Sequence, residues 1–128
     1  MDRAEARPAG WATQPRSVHA SLQAADPHRF VPGHRVVRAG QTIEIVLHNR
    51  SSVRHELVIG DRAQQGQYGR SVKAMPGTRH EHDNVLIIEP GRIRSVVWQF
   101  GDAKLVELAC HIDGHYEQGM MARVNVQP

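Results

Sequence analysis

A single cysteine, Cys110, excludes an internal disulfide framework. No apolar run is long enough to cross a bilayer, so no membrane span is expected. Aromatic side chains are scarce, with two Trp, two Tyr and two Phe. Arginines are scattered over the chain rather than gathered on one stripe, and together these features argue against nucleic-acid binding. The formal charge of +3 is modest, yet a basic surface of this size can steer docking to an acidic partner. The opening residues Met1 to Arg7 lack the apolar core of a secretory signal. What remains is a chain of 128 residues with ordinary apolar content, enough for one domain around one core. Nine histidines are many for this length, and a lone cysteine beside several histidines is a buried spectator, a nucleophile or a metal ligand.

Residues 1–27 show neither helical nor strand periodicity and are punctuated by Pro8, Pro15 and Pro27, which reads as a flexible N-terminal arm. From Phe30 the texture changes to short β-type runs separated by turn residues, with candidate strands at 35–38, 41–48, 55–60, 84–89, 92–100, 104–110 and 121–127. Arg38-Ala39-Gly40-Gln41 and Glu89-Pro90-Gly91-Arg92 are tight-turn signals. Seven short strands without strong helices predict an all-β, two-sheet sandwich. The one long connection, 61–83, contains Gly66 and Gly69, each costing a helix about 1 kcal/mol relative to Ala. A short or broken helix is the most expected there.

The last thirty residues contain Cys110-His-Ile-Asp-Gly-His115-Tyr-Glu-Gln-Gly-Met120, a Cys-x4-His-x4-Met pattern between two strand-like runs. Thiolate, imidazole and thioether are the donor types of a blue-copper site, where two His and one Cys hold the ion in a plane with a weak axial Met. The second His must come from elsewhere, and His55 in His55-Glu56-Leu57-Val58-Ile59-Gly60 is the best candidate. Strand parity supports the choice, because alternate side chains face opposite sides of a sheet. Cys110 shares parity with Val106 and Leu108, Met120 with Ala122, Val124 and Val126, and His55 with Leu57 and Ile59. Glu56, Glu107 and His111 fall on the opposite faces, and Met121 goes outward with Arg123 and Asn125. Plainer readings remain for each residue: an inert buried thiol, a satisfied core histidine, a gap-filling methionine. Met121 or a backbone carbonyl is the alternative axial group.

With these landmarks, and with Gly40-Gln41-Thr42, Pro90-Gly91 and Trp98-Gln99-Phe100, the stretch from about Phe30 to Val126 resembles the cupredoxins, closest to the bacterial group associated with copper resistance. The resemblance implies a Greek-key β-sandwich of about seven or eight strands, with the cupredoxin domain at 28–128. It implies one type 1 copper held by His55, Cys110, His115 and Met120, with the His115 edge as electron port and Tyr116, Gly114 and Gly119 in the patch around it. It further implies export to the periplasm and a monomer that works as a one-electron carrier in a copper-handling or copper-resistance context. Its partner would be a redox protein or a copper-handling protein. The alternative is a protein that sequesters or transfers copper through additional surface His and Met sites. Better-known cupredoxins often carry a small polar residue just after the first His ligand, where this chain has Glu56.

His80-Glu81-His82-Asp83, with Met75 upstream, is a dense donor cluster, and His-x-His on an extended segment puts both rings on one side. It is a candidate second copper site through His80, His82 and Met75, against the plainer reading of a solvated loop. His19, His28 and His34 are further donors of unassigned position, and His48 reads as structural. An enzyme built on Cys110 and a His is disfavoured, because no helix starts at the cysteine and the chain is short. Copper oxidases need additional copper centres, so no catalytic residues are expected.

Overall fold

The computed structural model describes residues 7–8, 18–26, 28–75 and 83–128. In chain order the elements are β1 Arg7–Pro8, β2 Val18–Ala25, β3 Arg29–Val31, β4 His34–Arg38, β5 Thr42–Asn49, β6 His55–Gly60, α1 Arg62–Ala74, β7 Val85–Ile88, β8 Ile93–Gln99, β9 Lys104–Ala109 and β10 Met121–Gln127. A 3-10 turn, Ile112–Gly114, lies between β9 and β10. One sheet runs β1-β8-β5-β2-β3 and the other β4-β10-β9-β6-β7. Among the described residues only β2 with β5 and β4 with β10 pair in parallel, and the chain crosses between the sheets several times, giving a Greek-key sandwich.

The seven candidate strands are all present, each within a residue or two of its expected bounds. Burial alternates along β5 and β10 as a half-buried strand requires. The inward rows, among them Leu47, Leu57, Ile88, Phe100 and Val124, form one core between the sheets. Each large aliphatic side chain fully withdrawn from water contributes about 1.5–3 kcal/mol.

Two expectations are corrected. The arm drawn over 1–27 does not hold for its described residues, because Val18–Ala25 is a strand of the sandwich, hydrogen-bonded to β5 and to β3, and Arg7–Pro8 pairs with β8. Its inward residues include Leu22 and Ala24, and alanine carries too little hydrophobic contrast for a period-two pattern to stand out. The second correction concerns 61–83, where α1 is an unbroken helix of 13 residues. Asp61 and Gln64 form a capping box, Asp61 Oδ1 accepting from the Gln64 N–H at 2.9 Å and Gln64 Oε1 from the Asp61 N–H at 2.8 Å. Gly69 has a packing reason: a Cβ there would lie 3.1 Å from His111 Nδ1, so glycine lets the helix approach the Cys110 loop. The helix is anchored by the buried amide of Gln65, which donates to the carbonyls of Val58 at 2.8 Å and Glu107 at 3.1 Å. β6 is therefore buried on both faces, by the core on one side and by α1 on the other.

Candidate metal centre

Three segments converge at one end of the sandwich. His55 opens β6, Cys110 follows the last residue of β9, and His115 and Met120 lie on the loop that leads into β10. The ladder pairs Ala109 with both Val58 and Met121, which brings the loop's two ends beside β6. The loop closes on itself, with the Cys110 N–H donating to the Met120 carbonyl at 3.2 Å and the Met120 N–H to the His115 carbonyl at 2.9 Å. Gly114 and Gly119 sit at φ values of 76° and 95°, where a side chain would be strained, so glycine helps the loop from Cys110 to Met120 turn this tightly.

Cys110 Sγ lies 3.7 Å from His55 Nδ1 and 3.5 Å from His115 Nδ1. Candidate ligand atoms of His55, Cys110 and His115 all lie within 4.8 Å of one another, and no other such group of His, Cys, Asp or Glu occurs among the described residues. His55, Cys110 and Met120 are fully buried, and His115 is 5% exposed. A first-row metal ion about 2.0 Å from nitrogen and about 2.3 Å from sulfur spans at most about 4.3 Å between two donors. Both nitrogen–sulfur separations are shorter than that, so the three donors fit one ion.

Burial sets the protonation of the metal-free site. It pushes the Cys110 thiol up to about 12. It pushes His55 down to about 4, with help from the neighbouring His115 and His28, and it lowers His115 as well. The imidazoles therefore keep lone pairs at neutral pH, and metal binding has to displace the thiol proton. The Glu56 N–H points at Cys110 Sγ from 3.4 Å, a donor that favours the thiolate.

Glu56 is buried on the helix side. Its carboxylate accepts from the His111 N–H at 3.1 Å and from the Tyr68 hydroxyl at 2.9 Å. One residue thus ties the His55 strand, the Cys110 loop and α1 together. His111 turns away from the donors, as parity predicts, and its Nε2 lies 2.7 Å from Gln65 Oε1. Because the Gln65 amide nitrogen donates to carbonyls, its oxygen is left to accept, which assigns the proton to His111 Nε2. Tyr116 does not join a patch around His115. It stacks on His111 at 4.5 Å and donates to Glu107 Oε1 at 2.7 Å.

Sequence reasoning left His28 without a position. Its ring stacks on that of His115, with centroids 4.0 Å apart and planes 20° apart, and lies edge-on to His55 at 6.0 Å. No strand pattern marks it, because it sits in a turn between β2 and β3. Of the second candidate site, Met75 is exposed, whereas His80 and His82 lie outside the described residues. His19 Nδ1 lies 2.7 Å from Glu44 Oε1, on the surface of the other sheet. No helix among the described residues is long and apolar enough to cross a membrane.

No protein-family model matches the chain. It is 34% identical over 121 residues to the copper-resistant cuproprotein CopI of Rubrivivax gelatinosus, covering 94% of this chain and 72% of that one. CopI of Pseudomonas aeruginosa is 28% identical, covering 95% and 82%. Among solved structures, reduced auracyanin of Roseiflexus castenholzii superposes with a TM-score of 0.74 at 19% identity, over 88% of this chain and 98% of that one. Auracyanin A of Chloroflexus aurantiacus gives 0.72 at 19% identity, over 88% and 100%. The fold is that of the cupredoxins, and the chain belongs to the CopI family of copper-resistant cuproproteins.

Proposed function

We propose that this protein binds one copper ion, which His55, Cys110 and His115 would hold with Met120 as a weak fourth donor, and works as a one-electron carrier in a copper-resistance setting. The observation that carries the reading is a buried cysteine sulfur 3.5 and 3.7 Å from two imidazole Nδ1 atoms. The bound ion supplies a reversible one-electron change between Cu(II) and Cu(I). Cys110 would offer a soft thiolate, the two imidazoles suit both oxidation states, and Met120 would add a weak fourth donor. The Glu56 N–H and the apolar core around Cys110 tune the sulfur's donor strength. Main-chain bonds from Cys110 to Met120 and from Met120 to His115 hold three donors in one frame, so their geometry changes little with oxidation state.

The CopI name of the relatives supports the copper-resistance context; a periplasmic location and a redox or copper-handling protein as partner belong to the same proposal. A copper-transfer role is the second reading, favoured by an exposed Met75 and by the His80-Glu81-His82 sequence that follows it in the chain. One equivalent of Cu(II) added to the metal-free protein tests the first reading. An intense thiolate-to-copper absorption with narrow or rhombic hyperfine structure supports it. A weak, tetragonal Cu(II) spectrum removes Cys110 from the ligand set. Titration to more than one bound copper, lost in the His80→Ala, His82→Ala double variant, would support the second reading.

A further inference from the structure

His115 is the least buried of the four candidate ligands, and His28 covers it. Three features of His28 are unusual for a turn residue. Its backbone is in the left-handed region at φ 48°, which side chains other than glycine's seldom adopt. Its Nδ1 is buried without a hydrogen-bond partner among the described residues. Its ring lies nearly parallel to that of His115 and in van der Waals contact with it, at the edge of a surface hollow of about 550 Å³ that both histidines line with Arg54, Glu89 and Asp113. An unfavourable backbone and an unpaired buried nitrogen, held together at one place, point from conformation to function. His28 nevertheless stands outside the group of atoms close enough to share one ion. Its contact is with a ligand's face.

Resting on the copper reading above, we propose that His28 controls access to the metal site. Its imidazole is laid over the His115 face beside the hollow and screens the site from external ligands and chelators. The bound ion is then reached from the hollow only when this ring swings away. Electrons, which need contact and not passage, cross the stacked pair.

The test uses His28→Gly, which suits the left-handed backbone and removes the ring, and His28→Phe, which keeps a stacking ring and removes both nitrogens. Cu(I)-loaded protein is mixed with excess bathocuproine disulfonate, and release is followed by absorbance. Separately, azide is titrated into the Cu(II) form. His28→Gly should release copper at least about tenfold faster and become sensitive to azide, in line with the effect of losing an outer partner of a metal ligand. His28→Phe should stay close to the wild type. In the metal-free protein, diethyl pyrocarbonate should modify His115 faster in His28→Gly than in the wild type, a readout independent of copper. Equal release rates and equal His115 modification in wild type and His28→Gly would overturn the proposal. Slower release from His28→Phe than from the wild type would also overturn it, by showing that the His28 nitrogen hands the ion over. A wild type with no thiolate-to-copper band would refute the copper reading itself, whereas a normal band with release indifferent to residue 28 would refute the access role alone.

Discussion

Replacing Glu56 by Ala tests how the ligand segments are fixed. The Glu56 carboxylate accepts two hydrogen bonds, from the His111 N–H at 3.1 Å and the Tyr68 hydroxyl at 2.9 Å. The His111 N–H is buried, and a buried donor left unpaired costs about 1–3 kcal/mol. The Tyr68 hydroxyl is part-buried, so its loss falls at the low end of the same range. The sum is about 2–4 kcal/mol of unfolding free energy, readable as a lowered midpoint in urea denaturation of the metal-free protein. Glu56→Gln keeps an oxygen for the His111 N–H, and the Tyr68 oxygen can accept from the new amide, so its loss should stay within about 1.5 kcal/mol. In the copper form, Glu56→Ala should also shift and broaden the thiolate band. The Glu56 main chain that donates to Cys110 Sγ is steadied by the side chain's hold on the next residue, His111. An Ala variant within about 0.5 kcal/mol of wild type, the size of an ordinary surface change, would refute the pinning argument. So would a Gln variant as damaged as Ala.

Cys110→Ser should abolish the intense absorption of the copper form, since the covalent sulfur donor is gone, and persistence of the band would exclude Cys110 as ligand. Met120→Leu should leave copper bound and raise the potential by removing a weak donor that favours Cu(II), so an unchanged or lower potential in voltammetry would count against the axial role. Gly69→Ala gains about 1 kcal/mol of helix propensity, yet its Cβ would press on His111 Nδ1 at 3.1 Å. That ring is fixed by Gln65 and Tyr116, so overpacking of about 1–3 kcal/mol should win and lower the melting temperature. The metal-free protein should lose stability as pH falls from about 6.5 to about 4, because the unfolded chain protonates His55 across that window while burial keeps the folded one neutral. The full effect is about 3 kcal/mol, present above the upper pH and lost toward the lower one. Wild type and His55→Asn with the same slope of stability against pH would disprove it.

The donor set was legible because its rules are local. A period of two assigned faces to Cys110, His55 and Met120, and a sole cysteine near a His and a Met left few alternatives. The strands from β4 onward were legible for the same reason, since their inward rows are Val, Ile, Leu and Trp. What escaped depends on contacts between distant segments. β2 reads as unstructured because Ala and Ser fill it, and only its place beside β5 makes it a strand. α1 looked broken at Gly69 because a propensity scale cannot see the His111 ring that the missing Cβ makes room for. Its Asp61 and Gln64 box was readable and should have outweighed the glycines.

Glu56 illustrates a deeper limit. Read as a departure from the usual small residue, it cast doubt on how the ligand loops are tied. In the fold it reaches further than a small residue does, because a whole helix stands behind it. Glu56, Tyr68, Gln65, His111, Tyr116 and Glu107 form polar contacts between α1 and the ligand-bearing sheet, on the face opposite the donors. A larger residue after the first ligand, a helix with two glycines and a tyrosine in the ligand loop are each unremarkable singly. They make sense as parts of one support, in which α1 replaces the short-range bonds that a small side chain gives elsewhere. The donors then owe their positions to a layer that packs against the sheet from outside the core. Changes in that layer should therefore alter the copper spectrum without touching a ligand.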